Sequence, residues 1–100
     1  MTLEEQISAL SEEYRDHIRP DLEVLQGHVA TLRTGGFTPE AMRSLQQLAH
    51  MQSGSAGSFG FDKLAEKARA TDHAIIRGQA ASDLLPLVEA WEIALKETLH

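Results

Sequence analysis

Of the five histidines in this chain, one stands among small residues. His50 is followed by Ser53, Gly54, Ser55, Gly57, Ser58 and Gly60, which on a helix surface would leave its ring without tall neighbours. An imidazole has an ordinary pKa of about 6.5, so at pH 7 it is mostly neutral and carries a nucleophilic nitrogen. A bare ring of this kind is accessible to another protein's active site. The remaining histidines, His17, His28, His73 and His100, form no His-x-x-x-His pair of the sort that sets two metal ligands on one helix face, and no metal site is expected. A Ser-His-Asp hydrolase site is set aside, because a 100-residue helical chain offers no oxyanion loop.

Whether His50 is presented at all depends on the stretch HMQSGSAGSFGF, residues 50–61. Three glycines and three serines between Ser53 and Gly60 suit a flexible linker, but a leading histidine and two closing phenylalanines do not. At about 100° per residue, Ala41, Leu45, Leu48, Ala49, Ala56 and Phe59 share one side of a helix beginning near Pro39. Opposite them lie Arg43, Gln46, Gln47, His50, Ser53, Gly54 and Gly57. The apolar period runs through the small residues, which predicts helix. Each internal glycine then costs roughly 1 kcal/mol relative to alanine. A flat patch one and two turns beyond His50 is what those glycines would create.

The other elements also read as helices. Thr2 and Glu5 have capping-box spacing, and Leu3, Ile7, Leu10, Tyr14 and Ile18 recur on one face. Pro20 either kinks this helix or starts a new one, where its missing amide costs nothing. A second stripe, Leu22, Leu25, Val29 and Leu32, stops at Gly35 and Gly36. Thr38, Pro39 and Glu40 then supply a cap, a first-turn proline and an acid at the positive helix end. After Gly60, Phe61, Leu64, Ala65, Ala68, Ile75 and Ile76 form a stripe that ends at Gly78. Ser82 or Asp83 can cap a last helix carrying Leu84, Val88, Trp91, Leu95 and Leu99. Short connections favour antiparallel neighbours. The expected fold is all-α: an up-down antiparallel four-helix bundle with an additional short N-terminal helix, residues 1–100 forming a single domain.

Composition narrows the partners. The net charge is −6 without a Lys/Arg cluster, which argues against nucleic acid. No apolar run approaches the ~18 residues of a membrane span, and the acidic start is unlike a signal peptide. The absence of cysteine rules out disulfides and fits a cytoplasmic protein.

Residues 49–68, AHMQSGSAGSFGFDKLAEKA, resemble the histidine-containing phosphotransfer (HPt) family. The usual signature of that family is His-x-Leu-Lys-Gly-Ser, then small residues, a glycine and an aliphatic-rich helix. His50, Gly54, Ser55, Ala56, Gly57 and Gly60 match it in order. The resemblance implies a phosphoryl carrier in a bacterial-type two-component phosphorelay. His50 would take the group from the aspartyl phosphate of one receiver domain and pass it to another. It implies response regulator receivers, or a hybrid histidine kinase, as partners and a monomer or weak homodimer as the assembly. Mg²⁺ is expected on the receiver, and the carrier itself needs no cofactor and no ATP site. The alternative is a degenerate relative that docks receivers or kinases without carrying phosphate.

Two positions depart from the signature. Ser53 stands where the family has lysine, and supplies a hydroxyl but no charge. If the chain turns back at Gly60, Arg69 comes level with His50 and is expected to supply the cation, with Arg77 second. Gln46 or Gln47 is expected as a further donor. Gln52 replaces leucine in the middle of the apolar face. An unpaired buried amide costs about 1–3 kcal/mol, so a partner is expected, with Asp72 or Thr71 nearest. Receiver docking is assigned to Gly54, Gly57, Arg43, Gln46 and Met51, the methionine giving adaptable apolar contact.

Overall fold

The computed structural model describes residues 1–100, which form four α-helices and no strand. They are α1 (Leu3–Thr34), α2 (Pro39–Ser58), α3 (Asp62–Ile76) and α4 (Ala81–Leu99). Cross-helix bonds fix the directions. Tyr14 meets Ser55 while His28 meets Ser44, so α1 and α2 run antiparallel. Lys63 meets Glu97 across α3 and α4, and Arg15 reaches the carbonyl of Thr98 across α1 and α4. α2 packs chiefly on α3, α3 on α4, and α4 on α1. This is the up-down bundle expected from the short connections. No helix is long and apolar enough to cross a membrane.

The ends of the helices follow the local chemistry. Thr2 and Thr38 each accept an amide of their first turn, from Glu5 and Ala41. α2 ends in a Schellman arrangement: the Phe61 amide reaches the Ala56 carbonyl and the Gly60 amide reaches that of Gly57. Gly60 takes φ +85°, a left-handed conformation that a side chain resists, and so the chain reverses within three residues. That reversal lays α3 back along α2 and sets its register against His50.

The core is made by the expected stripes. Ile18, Leu25, Leu45, Leu64, Leu84, Leu95 and Trp91 are all fully buried, with Ala49, Ala56, Ala65 and Ala68 letting α2 and α3 approach closely.

Four expectations are corrected. No separate N-terminal helix exists: α1 is one helix of 32 residues that carries Pro20 in its interior. Ile18 and Leu25 are buried on either side, and their packing outweighs the roughly 3 kcal/mol that an internal proline costs. The α1 stripe also outruns the bundle. Tyr14 and Ile18 are buried, but Leu3, Ile7 and Leu10 are 71%, 54% and 52% exposed. α4 begins at Ala81, and neither Ser82 nor Asp83 caps it; Asp83 sits in the first turn, favourable to the helix dipole. Finally, Ile76 and Phe59 face outward, each lying at the very end of its helix, with Phe59 stacked on Tyr14 at 4.6 Å between ring centroids.

Candidate functional site

The stretch of small residues is helical from His50 to Ser58, and α2 carries His50 on its outward face with 79% of the side chain exposed. The ring is nevertheless fixed at one edge. Its Nδ1 lies 3.1 Å from Oδ2 of Asp72, a side chain on α3 that is only 6% exposed. An ionised carboxylate only accepts, so Nδ1 carries the proton in this bond. In the neutral ring Nε2 is then left with its lone pair free and faces solvent. The other carboxylate oxygen of Asp72 is buried without a partner, so its negative charge is directed at the imidazole and at nothing else.

Asp72 thereby holds a role other than the one expected of it from the sequence. It is not the partner of Gln52, and neither is Thr71, whose hydroxyl bonds back to Lys67 within α3. Gln52 is fully buried and doubly satisfied: its carbonyl accepts from Trp91 Nε1 at 2.8 Å, and its amide donates to Asp21 at 3.1 Å. One side chain thus ties α2 to α4 and α1 directly beneath the His50 turn. The sequence did carry the signal for Asp72, an acid among the inward residues Ala65, Ala68, Thr71 and Ile75. What it did not show was which side chain of α2 the acid would meet.

The remaining site residues are distributed as follows. Gln46, Gln47, His50 and Met51 line one shallow hollow of about 330 Å³ on α2. Arg43 lies two turns before His50 and is exposed, with only a loose 3.7 Å approach to Glu40. Arg69, on α3, brings Nη2 to 3.5 Å from the Ser53 carbonyl, so its guanidinium stands one turn beyond His50. Ser53 departs from expectation. Its hydroxyl donates to the His50 carbonyl at 2.8 Å, so the one proton it has is engaged by the helix backbone.

The two helix glycines are not required by the bundle. A Cβ at Gly54 would meet nothing within 4 Å, and one at Gly57 would make an ordinary 3.7 Å contact with Ala65. Neither has a packing reason to be glycine, and together they keep the surface beside the imidazole low.

An aromatic group closes the lower end of the site. Ser55 spends its proton on the Met51 carbonyl, so the Tyr14 hydroxyl donates to Ser55 Oγ at 2.7 Å. Phe59 and Phe61 stack on the Tyr14 ring, and the Arg15 guanidinium covers Phe61. Burial raises the Tyr14 pKa above its ordinary 10.0; the Ser55 bond opposes this and the Asp21 charge adds to it. Further up α1, burial pushes the His28 pKa below its ordinary 6.5.

The site is thus a solvent-facing histidine on the second helix of a four-helix bundle. The family model of the Hpt domain matches residues 9–100, and the chain belongs to that family. Membership supports a phosphotransfer role in two-component signalling. No curated protein and no solved structure significantly matches the chain.

Proposed function

We propose that this protein is a phosphohistidine carrier and that His50 is the residue phosphorylated. The single observation that carries this reading is the state of the imidazole, pinned at Nδ1 by a buried carboxylate and open at Nε2. In the forward step Nε2 attacks the phosphorus of an aspartyl phosphate on a receiver domain. The N–P bond forms, the P–O bond to the aspartate breaks, and the receiver leaves with a free carboxylate. No proton has to move, because Nδ1 keeps its own and the ring becomes cationic. Asp72 offsets that charge, and the reverse attack by a second receiver's carboxylate returns the ring to neutrality.

Charge on the phosphoryl group is met from α3. The Arg69 guanidinium, beside the Ser53 carbonyl, takes the place of the lysine that the family has at position 53, with Gln47 as a neutral donor. The partners are receiver domains, with a hybrid histidine kinase as one source of the group. Mg²⁺ belongs to the receiver, the carrier holds no cofactor, and the exchange takes place in the cytoplasm. Gly54, Gly57, Arg43, Gln46 and Met51 form the surface on which a receiver sits.

A second reading is favoured by one observation, the engaged hydroxyl of Ser53 where the family has a cation. In that case the protein docks receivers through the same patch and carries no phosphate. Incubation with a phosphorylated receiver separates the two. Acid-labile, alkali-stable phosphate on the wild type and none on His50→Gln is the expected result. Receiver binding without any label would establish the docking reading.

A further inference from the structure

The face of α1 that builds the core continues past the bundle with nothing covering it. α1 spans about 48 Å at 1.5 Å per residue, most of the molecule's 50 Å length, and its N-terminal end runs past the α2–α3 reversal, where Phe59 stacks on Tyr14. Leu3, Ile7, Leu10 and Tyr14 are spaced four, three and four residues apart, the narrow seam of a helix that packs against one other helix. Leu3 and Ile7 lie outside the residues 9–100 matched by the Hpt family model, and Leu10 lies within them. At its base, Ile7, Leu10, Ser11, Ser58, Phe59 and Gly60 enclose a hollow of about 390 Å³.

We infer that these projecting turns pair with those of a second copy of this chain, antiparallel about a two-fold axis near Ile7. Leu3 of each copy then lies against Leu10 and Phe59 of the other, in that hollow. Charge selects this arrangement. The projection carries Glu4, Glu5, Glu12 and Glu13 and no lysine or arginine before Arg15. A parallel pair would set every glutamate beside its own counterpart. The antiparallel pair sets no glutamate directly opposite another, and brings Glu12 and Glu13 level with the positive start of the other helix. It also sends the two bundles to opposite ends, so they do not collide.

Area sets the strength. A large apolar side chain removes on the order of 100 Å² from water when buried. Met1, Leu3, Ile7, Leu10 and Phe59 of both copies together give roughly 600–1,000 Å², less than the ~1,200 Å² at which stable interfaces begin. The dimer is therefore weak and concentration-dependent. His50 lies nine residues back along α2 from Phe59, roughly 13 Å, and stays clear of it.

Sedimentation equilibrium on the full chain tests this. The mass should climb from 11.0 kDa toward twice that value as concentration is raised, over about 10 μM to 1 mM. Ile7→Glu should hold 11.0 kDa throughout, with unchanged helicity and unchanged phosphate uptake by His50. Because the chain has no cysteine, Ile7→Cys should oxidise to a covalent dimer far faster than the exposed Ala30→Cys, which lies off the seam. A wild type that stays at 11.0 kDa, or equal oxidation of the two cysteine variants, overturns the inference. So does a monomeric wild type whose receiver transfer is lost in Ile7→Glu, since the seam would then belong to a receiver.

Discussion

Asp72 is buried and His50 is exposed, yet Oδ2 of the one lies 3.1 Å from Nδ1 of the other. Burial removes the carboxylate from competing water and cations, and exposure leaves the far side of the ring open. In the proposed transfer the pair holds the proton on Nδ1 and leaves Nε2 as the nucleophilic atom. The reversal at Gly60 is what makes the pair possible, because it puts residue 72 level with residue 50.

Asp72→Asn keeps one carbonyl acceptor in a side chain of the same size, removes the charge and exchanges the other oxygen for an amide NH2. A charge-assisted bond is roughly twice as strong as a neutral one, so phosphoryl uptake by His50 should slow by about 10-fold with little change in fold. Asp72→Leu removes the acceptor and should slow uptake further. Ring ¹⁵N spectra distinguish positioning from general damage: the Nδ1–H form should dominate in the wild type and give way to a mixture in Asp72→Leu. Wild-type uptake by Asp72→Leu would falsify the role.

Gln52 bonds both Trp91 and Asp21, so a return to the leucine usual in the family should destabilise this chain. Gln52→Leu leaves the buried Trp91 N–H without an acceptor, at about 1–3 kcal/mol. Trp91→Phe removes that donor. In urea titrations the double variant should lose clearly less than the two single losses combined. Additive losses would show that the bond contributes nothing specific.

Tyr14 is the sole tyrosine, so its ionisation can be followed by ultraviolet absorbance without interference from another phenol. Its midpoint should lie above 10.0 in the folded protein, burial being the main cause, and near 10 in denaturant. With the folded pKa raised, the folded state holds its proton where the unfolded chain has lost it. The contribution of Tyr14 to stability is then fully present below about pH 10 and fades as pH rises through the folded value. Denaturant midpoints should accordingly fall above pH 10 in the wild type and fall less in Tyr14→Phe.

His28 works in the opposite sense. Burial lowers its pKa from 6.5, so the unfolded chain binds the proton first as pH falls. Its contribution is complete above about pH 6.5 and is lost as pH drops through the folded value. The urea midpoint should therefore fall between about pH 7 and 5, less steeply in His28→Gln. The Ser44 contact at 3.4 Å is too long to hold the ring against that change.

What the sequence disclosed was local. Thr2, Thr38, Gly60 and Gly78 mark helix ends through their own backbone chemistry, and the apolar period through residues 41–59 turns His50 outward. Relationships across the bundle were not legible in the same way. Gln52 finds partners 31 and 39 residues away, and no period in α2 points to either. Pro20 reads as a break by propensity, but core packing on both sides of it carries the helix through. Ser53 looked like a donor for phosphate because its side chain is polar, whereas a helical serine can return its proton to the preceding turn.

Gly54 offers the cleanest separation of stability from docking. A Cβ there meets nothing within 4 Å, so the fold gives no reason for glycine. Gly54→Ala should stabilise the bundle by roughly 1 kcal/mol through helix propensity alone, read as a higher urea midpoint. A long side chain should be tolerated by the fold as well, because it projects into solvent. Yet Gly54 lies one turn from His50 on the same face, and in the proposed exchange a receiver must bring its aspartate within bonding distance of Nε2. Gly54→Glu adds both height and negative charge at that approach. It should fold with a midpoint at or above that of the wild type and lose phosphoryl exchange by 10-fold or more, about 1.4 kcal/mol in the transition state. Normal exchange by Gly54→Glu would mean that receivers approach His50 from the Met51 side, and that the glycine face is not the docking surface.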